Sequence, residues 1–190
     1  MYQKFLDAMI KGERLQKNGH LIRKTTIRNY EGLQKNLEEY SLLKSKVIRM
    51  KDYESLNTTR ARISEKNYWK RFYLSFTEFL YTKADDNYVG TQIKLLRAFF
   101  NYQNELMNPA PGNYYLRFYA IQEETPVLVL YPERLNFLIH NKEFEKKLPA
   151  HLKRHKDLFV FGCTTALRFS DLISLKPSNI ERINNNVYVT

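Results

Sequence analysis

Two groups of residues in this chain have the types and spacing to do chemistry. The first is the run 162–175, GCTTALRFSDLISL, where an apolar helix delivers a tight polar turn carrying Arg168, and a capped helix starts two residues later. Such a turn holds a guanidinium beside a helix N-terminus, and a phosphate oxygen there is stabilised by both. Asp171 is placed to orient that guanidinium. The same spelling also fits an ordinary helix–turn–helix with an Arg–Asp surface ion pair. The second group is a set of cations at helical spacing. Lys94, Arg97, Asn101 and Asn104 form a stripe without a carboxylate, and Lys24, Arg28 and Lys35 form another with Glu31 at its edge. Clustered cations release counterions from nucleic-acid phosphates, and Asn beside them reaches phosphates or base edges. Taken singly, either stripe also fits a solvated helix face. His151 and Arg154 spell H-x-x-R, and His151 pairs with His155 at i,i+4, but no third ligand is near, so a basic surface is the better reading than a metal site. Cys163 stands alone and makes neither an internal disulfide nor a multi-cysteine site. No metal and no cofactor are expected.

Composition narrows the class of partner. Thirty-one Lys and Arg against 20 Asp and Glu give a net charge of +11 over 190 residues, a surplus that points to a polyanion, most often nucleic acid. Apolar residues at 43% and aromatics at 14% are enough for a packed core and exclude wholesale disorder. Six Gly and six Pro favour long helices over many short strands. No apolar run approaches the roughly 18 residues of a membrane span, and the opening MYQKFLDAMIKGER has no apolar signal core. A soluble chain in a reducing compartment, with no membrane partner, is expected.

These residues need elements to position them. Residues 25–41 read as a helix opened by a capping Thr, with Ile27, Tyr30, Leu33, Leu37 and Tyr40 at helical spacing. Residues 64–83 read as a second, capped by Ser64, whose Tyr68, Trp69, Phe72, Tyr73, Phe76, Phe79 and Leu80 suit the middle of a bundle rather than a base-stacking platform. Residues 86–107 form the third, with Val89, Ile93, Leu96 and Phe100 inward. The run 108–113, NPAPGN, punctuates the chain. Residues 1–108 carry 20 basic against 12 acidic residues, net +8, and residues 109–190 carry 11 against 8, net +3. The expected division is an N-terminal arm over 1–22, a helical DNA-binding domain over 23–108, a linker over 109–126 and a further domain over 127–190. Downstream, helices are expected at 132–140 and 149–162, a turn at 163–169, and a short helix at 171–175 capped by Ser170 and stopped by Pro177. Residues 186–190, NVYVT, read as a strand without a partner, so the chain is expected to stop inside a domain. The fold class is mainly α: a helical bundle, then a truncated, mostly α segment ending in a β-strand.

The run TTALRFSDLISL resembles the first catalytic-arginine motif of the tyrosine recombinases, the phage integrase family, usually T-G-L-R-x-S-[DE]-[LI]-x-x-L. Thr165, Leu167, Arg168, Ser170, Asp171, Leu172 and Leu175 match, and Ala166 replaces the usual Gly. TTIRNY resembles the opening helix of the family's core-binding domain, and 91–102, TQIKLLRAFFNY, its later DNA-facing helix. NGHLIRKTTIRNY and the Tyr/Phe-rich region after it are typical of integrases of bacterial mobile elements.

The resemblance implies site-specific DNA strand exchange. A tyrosine attacks a phosphodiester, forming a 3′-phosphotyrosyl link and releasing a 5′-hydroxyl, while two arginines, a hairpin lysine and His or Trp side chains stabilise the phosphorane without metal. Arg168 corresponds to the first arginine and Asp171 to its acidic neighbour. The family's H-x-x-R follows that arginine, whereas HLKR at 151–154 precedes it, and Tyr188 comes too early to be the nucleophile. The resemblance therefore implies a chain cut inside its catalytic domain, competent in binding and not in cleavage. It also implies double-stranded DNA as partner, a parent that assembles as a tetramer on two duplexes, and a place in the bacterial cytoplasm with the nucleoid. The rival reading is a non-enzymatic DNA-binding regulator whose helix–turn–helix is 158–175. That motif needs cations on its second helix, and DLISL has none before Lys176.

Overall fold

The computed structural model describes residues 1–107, 109–124, 126–184 and 186–189. Asn108, Thr125 and Thr190, which end the expected core domain, the expected linker and the expected strand or stand within them, lie outside the described residues, as does Asn185. Within them the chain is mainly α, with eight helices and one two-stranded sheet. It divides into two compact units, 1–125 and 126–190.

The first unit holds α1 (Tyr2–Ile10), α2 (Lys24–Leu43), α3 (Thr59–Tyr81), α4 (Asp86–Leu106) and a 3-10 turn, Tyr114–Arg117. Helix α2 starts one residue before the expected Thr and has no side-chain cap. It stops where Ser45 takes φ 48° and turns the chain out of helical geometry. Helix α3 starts a turn and a half before Ser64. Thr58 is the cap, its hydroxyl oxygen accepting from Ala61 N at 3.1 Å, and the helix-favouring Arg60, Ala61 and Arg62 fill the added turn. Its aromatics go inward as expected: Trp69, Phe72, Phe76 and Leu80 are buried.

The expected arm over 1–22 is part of this core. Phe5, Leu6 and Met9 of α1 are buried, and Phe5 packs edge-on to Tyr30 and Phe99 at 5.1 and 5.3 Å. The Arg14 guanidinium lies 4.6 Å over the Phe5 ring. An F-L-x-A-M stripe on a helix of only nine residues was too short to stand out against the long helices.

The expected linker is also packed. Tyr115 and Phe118 are buried, and Phe118 reaches Tyr73 at 5.1 Å and Phe100 at 6.0 Å. Ala110 is tied to the 52–53 loop, its carbonyl accepting from Tyr53 N at 2.8 Å. The chain then crosses α4 so closely that a Cβ on Gly90 would meet the Ile121 carbonyl oxygen at 1.7 Å. Two prolines and a glycine signalled a break, but the aromatics after them decide where the chain goes.

Polar groups fix the helix register. Buried Asn36 on α2 donates to Gln92 on α4 at 3.2 Å and accepts from Lys83 Nζ at 3.0 Å. Buried Glu65 pairs with Arg49 at 2.7 Å, and that guanidinium lies 4.1 Å over Tyr68. A charge at that depth is tolerated only when paired.

The second unit holds α5 (Pro132–His140), α6 (Lys142–Lys147), α7 (Ala150–Thr165), α8 (Phe169–Ser174) and the hairpin β1 (Ile180–Ile183) and β2 (Asn186–Val189). Helix α6, unforeseen, opens where the Asn141 side-chain oxygen accepts from Phe144 N at 2.8 Å. The terminal strand does have a partner. β1 precedes it and pairs antiparallel, Glu181 opposite Tyr188 and Arg182 opposite Val187, with Asn184 at φ 49° in the turn. IERIN hid this strand because its polar residues break the β-branched run. Leu172 is the one buried apolar side chain of this unit among the described residues, seated 3.2 Å from where a Cβ on Gly162 would lie.

Two outcomes test this architecture. Gly90→Ala forces the Ile121 backbone away, and chemical denaturation should show a loss of about 1–3 kcal/mol, the range of an overpacked core. In limited chymotrypsin digestion, the first cut should fall at Leu128–Tyr131, where Leu128 is 97% exposed, and not in 109–121.

Candidate nucleic-acid interface and the arginine turn

The cations of α2 stand as the sequence implied. Tyr30, Leu33, Asn36 and Tyr40 turn inward, and a 100° step per residue puts Lys24, Arg28 and Lys35 on the opposite side, all exposed. None of the three has an ion pair or side-chain hydrogen bond among the described residues.

The stripe on α4 is different. Asn104 donates to the Gly112 carbonyl at 3.0 Å and accepts from Gly112 N at 3.1 Å. The Asn101 side-chain oxygen accepts from the Tyr115 hydroxyl at 2.5 Å, and Lys94 donates to Gln122 at 3.2 Å. One turn before Lys94, the Gly90 backbone faces Ile121, and Asn87 accepts from Glu123 N at 3.0 Å. Residues 87, 90, 94, 101 and 104 thus form the line along which segment 112–123 is fastened to α4. The absence of carboxylates, read as a phosphate-facing surface, is here the polarity of a backbone clamp. Asn101 is exposed with its oxygen engaged by Tyr115, and Arg97 is half-buried without an ion pair among the described residues. Since the α2 cations face away from the side of α2 that meets α4, that packing does not merge the two stripes.

Helix α3, read only for its core, adds cations that sequence inspection passed over. Lys66, Lys70 and Arg71 are exposed on its outer side. A recess of about 570 Å³ between α3 and the 44–49 loop is lined by Lys44, Lys46, Arg49 and Arg71 with Tyr40, Tyr68 and Ser75 and no carboxylate. Arg49 is the exception among these cations, neutralised by Glu65. The signal was present in the K-R pairs around the aromatics, but the aromatics set the helix's assignment.

In the second unit α7 runs three residues further than expected and ends at Thr165, so the turn is confined to 166–168. Ala166 takes φ 55° and ψ 20°, the left-handed conformation that glycine adopts freely and a Cβ resists. Arg168 is itself the N-cap of α8, in extended conformation, its carbonyl accepting from Asp171 N and Leu172 N at 2.9 Å each. Ser170, expected as that cap, lies inside the helix. The guanidinium of Arg168 is exposed, and no ion pair joins it to Asp171 among the described residues. The Asp171 carboxylate accepts instead from the Ser170 hydroxyl at 3.2 Å, in the first turn of α8, where a negative charge suits the helix dipole. An extended backbone at Arg168 sends its side chain off the helix axis, while Asp171 stays beside the first turn.

His155 Nδ1 lies 2.6 Å from the His151 carbonyl oxygen on α7, and no cluster of three metal-ligating side chains occurs among the described residues. No helix there is long and apolar enough to cross a membrane. Ala166→Gly should relieve the left-handed strain, raising the stability of the second unit by about 1 kcal/mol, the strain of a Cβ in that region less the added chain entropy of glycine. Thermal unfolding of the two variants reads it. No protein-family description, curated protein or solved structure matches this chain, and the site is read from its own residues.

Proposed function

We propose that the 1–125 unit binds duplex DNA through phosphate contacts, as the DNA-gripping part of a site-specific recombinase of the tyrosine integrase type. The observation that carries this reading is the set of exposed cations on the outer sides of α2 and α3, without ion pairs among the described residues, on a unit whose lysines and arginines outnumber its carboxylates by 21 to 14. Lys24, Arg28, Lys35, Lys66, Lys70 and Arg71 make no ion pair among the described residues, with Glu31 alone at the edge of the α2 stripe, so each is available to replace a condensed counterion. Lys94 and Arg97 are secondary contributors, because Lys94 also fastens the 112–123 segment.

In the second unit, Arg168 is proposed as the group that stabilises charge on a phosphate under attack. The left-handed turn at Ala166 supports this, since the motif that the run resembles places glycine at that position. In such chemistry a tyrosine oxygen forms a bond to phosphorus, the 5′-oxygen leaves as a hydroxyl, and a guanidinium stabilises the extra charge in between. Asp171 then acts on the helix end that carries the arginine rather than on the guanidinium. The regulator reading loses ground at α8, whose exposed side chains include Phe169 and Ile173 and no cation.

Fluorescence anisotropy on a labelled duplex over 50–300 mM salt tests the binding claim. The log–log slope should be about −0.9 per phosphate neutralised, and replacing Lys24, Arg28 and Lys35 together by Ala should flatten it by about two to three units. Lys94→Ala should change it by one unit or less. A slope untouched by the triple substitution would remove α2 from the interface, and the absence of salt-dependent binding would end the proposal.

A further inference from the structure

A second basic recess lies on the other side of α3, against the 3-10 turn, and has the makings of a site for one particular chemistry. Its lining is Lys66, Asn67 and Lys70 from one face of α3, with Tyr73, Leu74, Tyr114, Arg117 and Phe118, and its volume is about 420 Å³. Three cations meet there with no carboxylate in the lining. None of Lys66, Lys70 and Arg117 has an ion pair or a side-chain hydrogen bond among the described residues, so their donors are unspent. Lys66 and Lys70 are one helical turn apart, which puts both ammonium groups on one side of the recess.

The walls are aromatic and held in place. The Tyr73 hydroxyl donates to the Tyr119 carbonyl at 2.9 Å, and its ring stacks on Phe118 at 5.1 Å and 19°. The Tyr114 hydroxyl donates to the Arg62 carbonyl at 3.0 Å, and its ring meets Tyr53 at 5.7 Å. With both hydroxyls engaged by backbone, the rings contribute flat apolar surface rather than hydrogen bonds. Burial pushes both phenols above their ordinary value, so the rings stay neutral at pH 7. A recess built this way is formed before any ligand arrives, which lowers the cost of binding.

We propose that this recess binds a single nucleotide, its phosphate held by Lys66, Lys70 and Arg117 and its base laid against Tyr114, Leu74 and the edge of Tyr73. Volume and wall chemistry together select this class. Ligand pockets run from about 300 to 1,000 Å³, and a bare phosphate would leave most of this one empty and its aromatic walls unused. A phosphate of an intact duplex needs only cations on an open surface. A phosphate joined to a flat ring uses both the cations and the walls, since base–aromatic stacking adds to the electrostatic attraction. The nucleotide comes either free or as an unstacked unit of a DNA strand. The recess shares Lys66 and Lys70 with the duplex-binding reading, whereas Tyr114 and Arg117 belong to the recess alone and Lys24, Arg28 and Lys35 to the duplex surface alone, so the two readings can fail separately.

The test is titration of the intact 190-residue chain, followed by NMR and calorimetry, with deoxyadenosine 5′-monophosphate, deoxyadenosine, ribose 5-phosphate and a single-stranded oligo-deoxyadenosine. The monophosphate should bind at least tenfold more tightly than deoxyadenosine or ribose 5-phosphate. Lys70→Ala with Arg117→Ala, both exposed positions, should weaken the monophosphate at least tenfold while leaving the circular dichroism and melting temperature unchanged. Tyr114→Leu should weaken the monophosphate and spare ribose 5-phosphate. The single strand displacing the monophosphate assigns the nucleotide to a strand, and a monophosphate that the strand leaves in place assigns it to the free pool. Ribose 5-phosphate binding as tightly as the monophosphate, or a double variant that binds like the parent, would overturn the proposal. Duplex anisotropy on the same samples separates that result from a failure of the duplex reading, which loses its signal there whatever the monophosphate does.

Discussion

Phe118 packs against Trp69, Phe72, Tyr73 and Phe100, with ring centroids between 5.1 and 6.5 Å, and the first unit is organised around that contact. It draws a residue from beyond the proline-rich stretch into the seam between α3 and α4. Each buried large side chain is worth about 1.5–3 kcal/mol, and well-arranged aromatic pairs add about 0.5–1.5 kcal/mol. Those gains outweigh a local penalty, since Trp69 Nε1 is buried without a hydrogen-bond partner among the described residues, at a cost of about 1–3 kcal/mol. With Phe118 fixed, Arg117 is delivered beside Lys66 and Lys70, and Tyr115 is set over Asn101. The surface chemistry of this side of the unit follows from a decision made in its core.

Two helix stripes of similar composition stand in different surroundings in this protein. On α2 the stripe lies opposite the buried side of the helix, and its cations make no ion pair among the described residues. On α4 a similar stripe fastens a segment that forms no ladder, Asn104 and Asn87 bonding its main chain and Lys94 and Asn101 its side chains. The distinction is made by what the chain does afterwards. After α2 it turns at Ser45 and leaves; after α4 it doubles back over the helix it has just completed.

Much of the fold was legible from period alone, because α2, α3 and α4 each bury a stripe with 3.6-residue spacing and carry little Gly or Pro. What escaped were features set by contacts across long sequence separation. The nine residues of α1 have too few turns to declare themselves, and the 109–124 segment carries turn residues while its path is dictated by Tyr115 and Phe118. β1 sets two charged residues between two isoleucines, so it reads as strand only when NVYV is opposite. In the candidate sites, Arg168 and the α2 cations could be named from the sequence, since the first sits in a motif and the second in a periodic pattern. Lys66, Lys70 and Arg117 could not be grouped that way. Two of them belong to a helix dominated by its aromatics, and the third is 47 positions further along than Lys70. The Arg168–Asp171 pair shows the converse: adjacency in sequence suggested a partner, and the backbone angles at the cap send the two side chains different ways.

The path of segment 112–123 also governs where this protein can be divided. Residues 1–107 contain every α-helix of the first unit and yet not the whole of its interior. A polypeptide ended after α4 would keep the helices but leave the Trp69, Phe72 and Phe100 faces uncovered, the Gly90 backbone bare and Asn101 and Asn104 without their partners. One ended at residue 124 would keep all of these and shed the exposed apolar stretch that follows together with the second unit. The self-sufficient piece is therefore defined by a buried phenylalanine and not by the last helical turn, and a boundary drawn at the prolines would separate a core from its lid.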